Sequence, residues 1–359
     1  TAVVDPNPEA LKAVRDRFGD AVRNAEFVTD LPAWYRRADA DIVTIHSWDI
    51  HHAENAIDCF NAGLAVHVSK PLAQTTEQAD AVVRAWRASG RLGVVDMQIR
   101  TSVVIAKARE IIDSGAIGDV KLIICMDYVG RSGCFFRRHR TRRRDQVRSL
   151  TLQKGCHALD LCNLFAGSAP VRVFAAGGRA VFGGDKPNDL KCSDCAARDG
   201  CQFNGARSTI GGISYPDRES LCVFAAETDV DDHVVAILDC ANGVKINYVE
   251  CYFTPEYQVL FDVIGDRGAL AVRYAMDERL WVELRPRDGR SATRIPCYSE
   301  GGGHGGGDRT IIRALARALE TGTPMHPDIL DGRHTIATGE AIQKSLDSGR
   351  PMDIPPPPA

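Results

Sequence analysis

From residue 1 to about 100, short apolar runs trade places with segments whose apolar positions recur every three or four residues. Ala2–Val4 followed by Asp5 reads as a strand ending in a carboxylate, and Pro8–Phe18 as a helix with Leu11, Val14 and Phe18 on one face. Glu26–Val28 reads as a short strand, 31–37 as a short helix, and 41–46 (DIVTIH) as a β-branched strand of the kind covered on both faces. A helix over 53–62 closes at Gly63 and a buried strand follows over 64–68. Thr75 opens the next helix, with Glu77 and Asp80 in its first turns; Gly90 ends it, and 92–99 is again a strand. Such regular alternation predicts a parallel, doubly wound sheet.

Beyond residue 100 the period changes. A helix over 103–114 leads into the strand Val120–Val129, and a second helix, around 156–165, closes at Gly167. Strands then dominate: 171–176, 220–227, 232–238, 244–252, 257–264, 269–273 and 280–284. Turns such as Ala241-Asn242-Gly243 and Gly265-Asp266-Arg267-Gly268 point to a mainly antiparallel sheet. Late helices over 308–319 and 333–347 precede an extended PPPPA tail. The expected architecture is an α/β Rossmann-type domain over 1–100 followed by an α+β domain over 101–359 with a large, mainly antiparallel sheet. A Cys-rich insertion falls at about 183–222. In a dinucleotide-binding fold the strand ending in Asp5 is the second, and a first strand with its glycine loop is expected about 20 residues upstream. The chain therefore reads as lacking its first βα unit.

Composition narrows the class. With 359 residues, 44% hydrophobic, both halves can bury a core. A net charge of −3 gives no reason to expect a nucleic-acid or anionic-membrane binder. No apolar run approaches the roughly 18 residues of a membrane helix, so a cytoplasmic protein is expected. Of twelve cysteines, eight (Cys59, Cys125, Cys134, Cys156, Cys162, Cys240, Cys251, Cys297) are scattered, several of them in apolar segments, and read as small hydrophobes.

The chemistry is carried by a few stretches. AVHVSKPLAQ, residues 65–74, places Lys70 at the carboxyl end of a parallel strand, where such sheets bind ligands, and Pro71 holds it out of a helix. TLQKGCHALDLCNLFAG, residues 151–167, places His157 near a helix start with Asp160 one turn on. A lysine and a histidine meeting over one crevice make a proton-handling pair. CSDCAARDGC, residues 192–201, with Cys222 beyond, spaces four thiols as C-x2-C-x5-C-x20-C. Cys192, Cys195, Cys201 and Cys222 read first as a structural zinc site; free thiols, disulfides in an exported protein, and an iron–sulfur cluster are the alternatives. RRHRTRRRDQVR, residues 137–148, reads as a solvated loop, though its place before the His157 helix also suits attraction of an acidic or phosphorylated substrate. No aromatic residue interleaves it, against a single-strand binding platform. GGGHGGG, residues 301–307, follows no buried strand and is no dinucleotide loop; Asp308 after it reads as a helix N-cap.

Taken together, the strand ending in Asp5, Ser69-Lys70-Pro71, Gln98 and Arg100, Gly155-Cys156-His157-Ala158-Leu159-Asp160, and His304-Gly305-Gly306-Gly307-Asp308 make the chain resemble the Gfo/Idh/MocA oxidoreductases. These are NAD(P)-dependent enzymes acting mainly on sugars, cyclitols and their derivatives. The resemblance implies that Lys70 and His157 hold the reacting hydroxyl beside the nicotinamide. Asp5 would face the adenosine ribose, favouring NAD over NADP, while Ser47, Trp48, His51 and Gln98 would line the cofactor cleft. Arg100, Gln153, Asp160 and His304 would face substrate, and a homodimer or homotetramer is expected through the open face of the second sheet. Two positions depart from the family pattern: Gln153 replaces an Asp, which directs attention to Lys154 as a proton path, and Ser69 replaces a Glu. Two rivals stand beside a dehydrogenase: an NAD-dependent glycosidase working through transient oxidation, and a non-catalytic, truncated family member.

Overall fold

The computed structural model describes residues 1–35, 40–130, 133–204, 209–210, 213–214, 220–275 and 279–359. The alternation of the first hundred residues becomes β1 (Ala2–Val4), α1 (Pro8–Phe18), β2 (Glu26–Val28), α2 (Leu31–Tyr35), β3 (Ile42–Ile45), α3 (His52–Asn61), β4 (Ala65–Ser69), α4 (Thr76–Ser89) and β5 (Gly93–Asp96). The last two positions of the helix expected over 31–37 lie outside the described residues. Asn7 caps α1 by accepting from the Glu9 N–H at 3.0 Å, and Thr75 caps α4 by accepting from the Gln78 N–H at 3.2 Å. Every ladder here is parallel: β1 with β2, and β3 with β4 with β5. No ladder joins β1 to β3 among the described residues.

After α5 (Val103–Asp113) come β6 (Val120–Val129), the short helices α6 (Arg144–Val147) and α7 (Leu150–Gln153), α8 (Cys156–Ala166) and β7 (Pro170–Gly178). Two-residue strands β8 (Thr209–Ile210) and β9 (Ile213–Ser214) pair with each other, and the large sheet resumes with β10 (His233–Cys240), β11 (Lys245–Cys251), β12 (Tyr257–Gly265), β13 (Gly268–Ala275), β14 (Leu280–Pro286) and β15 (Thr293–Cys297). Helices α9 (Gly307–Thr321) and α10 (Ile329–Ser348) and the edge strand β16 (Met352–Asp353) finish the chain. The nine-stranded sheet runs β15-β14-β13-β12-β6-β11-β10-β7-β16, and all its pairs are antiparallel except β6 with β11.

One face of this sheet is buried beneath α5, α8 and α10, with Ile123, Cys125, Phe165, Val234, Phe261 and Ile342 in its core. On β7 and β10 the other face is open: Phe174, Val235 and Ile237 stay exposed. Helix α10 serves both cores, since Ile329 and Ile336 pack with Val66, Val68 and Leu72 of the first domain while Ala341 and Ile342 pack with the second. Its buried Arg333 donates to Asp80 at 2.7 Å and to the carbonyls of Pro355 and Pro356 at 2.7 and 2.8 Å, which ties the proline tail down.

Three expectations are corrected. Residues 220–227 form no continuous strand; they make only the isolated bridges Lys186↔Ala225 and Lys191↔Leu221, because they lie against loop rather than strand. The N-cap of α9 is Gly306, at φ 86°, and Asp308 sits inside the first turn with its carboxylate on His304 Nδ1 at 2.7 Å. The basic run is no solvated loop: Arg137 and Arg142 are buried, at 1% and 0% exposure.

Candidate functional site

Two elements meet at the crevice. β4 delivers Lys70 at its carboxyl end, ahead of a cis Lys70–Pro71 bond, and the α7–α8 junction delivers Gln153, Lys154 and His157. Lys70 Nζ donates to the Gln153 carbonyl at 2.7 Å, so Gln153 engages the lysine through its backbone. Burial pulls the Lys70 pKa below its ordinary value, with Cys156 acting the other way. His157 is 6% exposed, and its Nδ1 has no hydrogen-bond partner among the described residues. Burial first, then the positive field of Lys70 and the neighbouring His304, hold its pKa well below the ordinary histidine range. The His304 ring stands 5.6 Å from it, centroid to centroid.

Around this pair, charges are spent on each other. Arg100 Nε donates to Asp160 at 2.8 Å, its Nη2 reaches the other oxygen of the same carboxylate, and its Nη1 lies 3.1 Å from Asp331. Burial pushes the Asp160 carboxyl up, against the pull of Arg100. The expected substrate contacts Arg100 and Asp160 thus form a bidentate pair that fixes α8 to the end of β5 and to α10. Lys154 is 4% exposed and its ammonium sits on buried Asp127. Burial alone would lower the Lys154 pKa, but Asp127 holds it above the ordinary lysine value. Beneath, Glu250 accepts from Thr151 and from Tyr252 at 2.6 Å each, and burial, helped by Asp127, pushes its carboxyl up to about 7.

Asp127 and Glu250 were not singled out from sequence, although the strand period marks them. Asp127 shares the inward parity of Ile123 and Cys125 on β6, and Glu250 that of Ile246 and Tyr248 on β11.

On the cofactor side, Asp5 ends β1 with Oδ1 accepting from the Asn7 N–H at 2.8 Å. Ser47 and Trp48 follow β3; Ser47 Oγ accepts from Asn55 at 3.0 Å, and Trp48 is 60% exposed. His51 is exposed, whereas its neighbour His52, absent from the sequence reading, is buried. His52 Nδ1 lies 2.7 Å from the Pro71 carbonyl and Nε2 2.9 Å from the Ser47 carbonyl, which locks the Lys70–Pro71 turn to the β3 loop. Two carbonyls invite an imidazolium, but burial outweighs them and lowers the His52 pKa, so the neutral ring donates to one at a time. Gln98 donates to Asp96 at 2.7 Å, and its Oε1 is buried without a partner, as is Gln153 Oε1.

The basic run reaches toward this cleft. Arg140 pairs with Asp49 and lies 4.1 Å over the Trp48 ring, while Arg144 pairs with Asp231 at 2.8 Å and Asp347 at 3.0 Å. Cys192 and Cys222 flank the Lys191↔Leu221 bridge, and no disulfide joins any of the twelve cysteines. The acceptor cluster His326, Asp328 and Asp331 is committed to α10: Asp328 caps the helix and Asp331 holds Arg100. A cleft of about 890 Å³ lined by Trp86, Leu92, Leu319 and Met325 lies at the opposite, amino-terminal ends of β4 and β5, away from Lys70.

This is a two-domain α/β chain of the Rossmann type, with its ionisable side chains gathered at the carboxyl ends of the parallel strands and on the helix that faces them. A profile described as an oxidoreductase family, NAD-binding Rossmann fold, matches residues 1–97, and one described as the GFO/IDH/MocA C-terminal domain matches residues 105–271. The chain belongs to the GFO/IDH/MocA oxidoreductase family. It is 25% identical to YteT of Bacillus subtilis, over 99% of this chain and 91% of that protein. It is 23% identical to the levoglucosan dehydrogenase of Pseudarthrobacter phenanthrenivorans, over 98% and 89%. Among solved structures, an oxidoreductase domain protein from Kribbella flavida superposes with a TM-score of 0.78 at 19% identity, covering 99% of this chain and 90% of that one. A levoglucosan dehydrogenase complexed with NADH and levoglucosan gives 0.75 at 18%, covering 99% and 90%. At these identities the structural likeness is one of fold. No described helix is long and apolar enough to cross a membrane.

Proposed function

We propose that the chain is an NAD-dependent dehydrogenase interconverting a hydroxyl and a ketone on a sugar or cyclitol. The observation that carries this reading is His157 Nδ1: buried, unpartnered, and beside a lysine at the carboxyl end of a parallel strand. A buried polar atom without a partner is costly, so its retention points to a ligand group that completes it. Gln98 Oε1 and Gln153 Oε1 are orphaned in the same way. All three can act as acceptors, which suits a ligand that presents several hydroxyl donors.

In oxidation, His157 Nδ1 takes the hydroxyl proton while the Lys70 ammonium donates to the same oxygen and stabilises the negative charge that builds there as the O–H bond breaks, a charge that passes into the carbonyl bond as hydride leaves carbon. Bound NAD supplies the hydride acceptor. Asp5 would hold the adenosine ribose hydroxyls and repel a 2′-phosphate; Ser47, Trp48 and Gln98 would border the nicotinamide end. Arg100 and Asp160 act as positioning residues for α8. His304 closes the substrate side, held by Asp308. Lys154, engaged by Asp127, contributes field rather than a transferable proton. A second copy of the chain would cover the exposed Phe174, Val235 and Ile237.

NADH titration, followed by quenching of tryptophan fluorescence with Trp48→Phe as control, should saturate. Turnover on a panel including levoglucosan and inositols should accumulate NADH in proportion to substrate consumed. A folded protein that shows no saturable binding would overturn the proposal, and product without net NADH would favour transient oxidation instead.

A further inference from the structure

The segment that carries Cys192, Cys195 and Cys201 has an unusual inward face. Between residues 191 and 201 every side chain is exposed except those three cysteines. A loop of this kind has no apolar group to bury and little regular structure to fix it, so the entropy of ordering it has to be met by something else. Three small thiols are too little surface for a core.

The fourth thiol arrives from another part of the chain. The Cys192 N–H donates to the Ser220 carbonyl at 2.8 Å and the Cys222 N–H to the Leu190 carbonyl at 2.7 Å, so the two cysteines flank one antiparallel bridge. Successive turns, with Arg198 N–H on the Cys195 carbonyl at 3.1 Å and Cys201 N–H on the Arg198 carbonyl at 3.3 Å, keep the chain that bears the other two compact. No three of their sulfur atoms lie within 4.8 Å of one another, so coordination would draw the loop inward by a further step.

Arginines tie the loop to its neighbours through backbone carbonyls. Arg142, fully buried and paired with Glu227, donates to the Cys222 carbonyl at 3.1 Å, Arg137 donates to the Phe203 carbonyl at 2.7 Å, and Arg198 donates to the Ser193 carbonyl at 3.2 Å. The same arginine run extends to Arg140, which lies on Trp48 and Asp49.

We propose that Cys192, Cys195, Cys201 and Cys222 bind one zinc ion in a tetrahedral thiolate site that fastens this insertion to the arginine run bordering the cofactor cleft. Each thiol gives up its proton on binding, and the closed four-ligand set leaves no position for substrate, so the ion is structural. Small loops without a core are commonly stapled in this way.

The test is metal analysis of the full chain purified without added metal, followed by replacement with cobalt. One zinc per chain is expected, together with the thiolate-to-cobalt charge-transfer absorption of a tetrahedral site. Cys195→Ser and Cys201→Ser should lose both signals, while Cys240→Ser, on β10, should keep them. Removing zinc by a chelator should open the Lys191 and Arg198 bonds to trypsin without lowering the cooperativity of the global melt. Absence of metal in the wild-type protein, disulfides among these cysteines by non-reducing peptide mapping, or iron with inorganic sulfide would each overturn the proposal. The wild-type measurements decide the matter even if a serine variant fails to fold.

Discussion

Replacing Lys70 with Met separates chemistry from stability at one position. The methionine keeps much of the stem and removes the ammonium, which has one hydrogen-bond partner, the Gln153 carbonyl at 2.7 Å. A group that assists proton handling in the transition state contributes about 10²–10⁴-fold, equivalent to roughly 3–5 kcal/mol of barrier at about 1.4 kcal/mol per tenfold. Stability should move far less. The carbonyl left without its donor costs about 1–3 kcal/mol. Burial already lowers the Lys70 pKa, so folding disfavours its charge, and removing that charge offsets part of this cost. Initial rates of NADH formation on the best substrate of the panel, with parallel urea melts, should therefore show kcat reduced at least about 100-fold and a melt displaced by about 2 kcal/mol or less. The loss of a cation that bears on His157 should also raise that histidine's pKa and move the acid limb of kcat/KM to higher pH. A variant that keeps more than about a tenth of kcat, with KM unchanged, would remove Lys70 from the reacting centre.

Two other substitutions test the frame and the base. Arg100→Leu strands the carboxylates of Asp160, 1% exposed, and of Asp331, and should destabilise the fold by about 3–5 kcal/mol; a loss below about 1 kcal/mol in urea melts would show that the pair does not hold α8 in place. His157→Asn should cost kcat about 10²–10⁴-fold. Because the folded-state pKa of His157 lies below that of the unfolded chain, the unfolded state binds more protons, and His157's contribution to stability is present above the ordinary histidine pKa and lost progressively as pH falls from there through the lowered folded-state value. The Asn variant should flatten the fall in stability below about pH 6.5, and an unchanged slope would refute a buried neutral imidazole.

The sequence made the two domains legible because their hydrophobic periods differ: short apolar runs between helical segments to residue 100, then alternating strands with glycine turns. It singled out Lys70 and His157 because each stands at an element end that points into a crevice. What escaped it depends on contacts distant in sequence. Arg100 and Asp160 lie 60 positions apart, and only the fold turns them toward each other. The arginine run looked solvated because its partners, Asp49, Glu227, Asp231 and Asp347, are scattered over nearly 300 positions of sequence. His52 was passed over for His51 since a one-residue step on a helix start decides which ring is buried. The expected strand over 220–227 had the right composition but no strand beside it.

The charges at the centre can be ordered by what each already holds. Lys154 is committed to Asp127, Arg100 to Asp160 and Asp331, and Lys70 to one backbone carbonyl with its remaining donor capacity open. His157 Nδ1 has no hydrogen-bond partner among the described residues, and the ring is set among cations and largely shielded from water. Such a setting disfavours a proton on the imidazole at rest, and it favours the oxyanion that forms when a substrate hydroxyl gives its proton up. The same field that keeps the base neutral thus stabilises the charge produced by its action. On this reading the carboxylates beneath are what make the arrangement tolerable: without Asp127 facing Lys154, a buried ammonium and the half-buried one of Lys70 would converge on one histidine with nothing to balance them. The inward parity of β6 is therefore as much a part of the site as the crevice it supports.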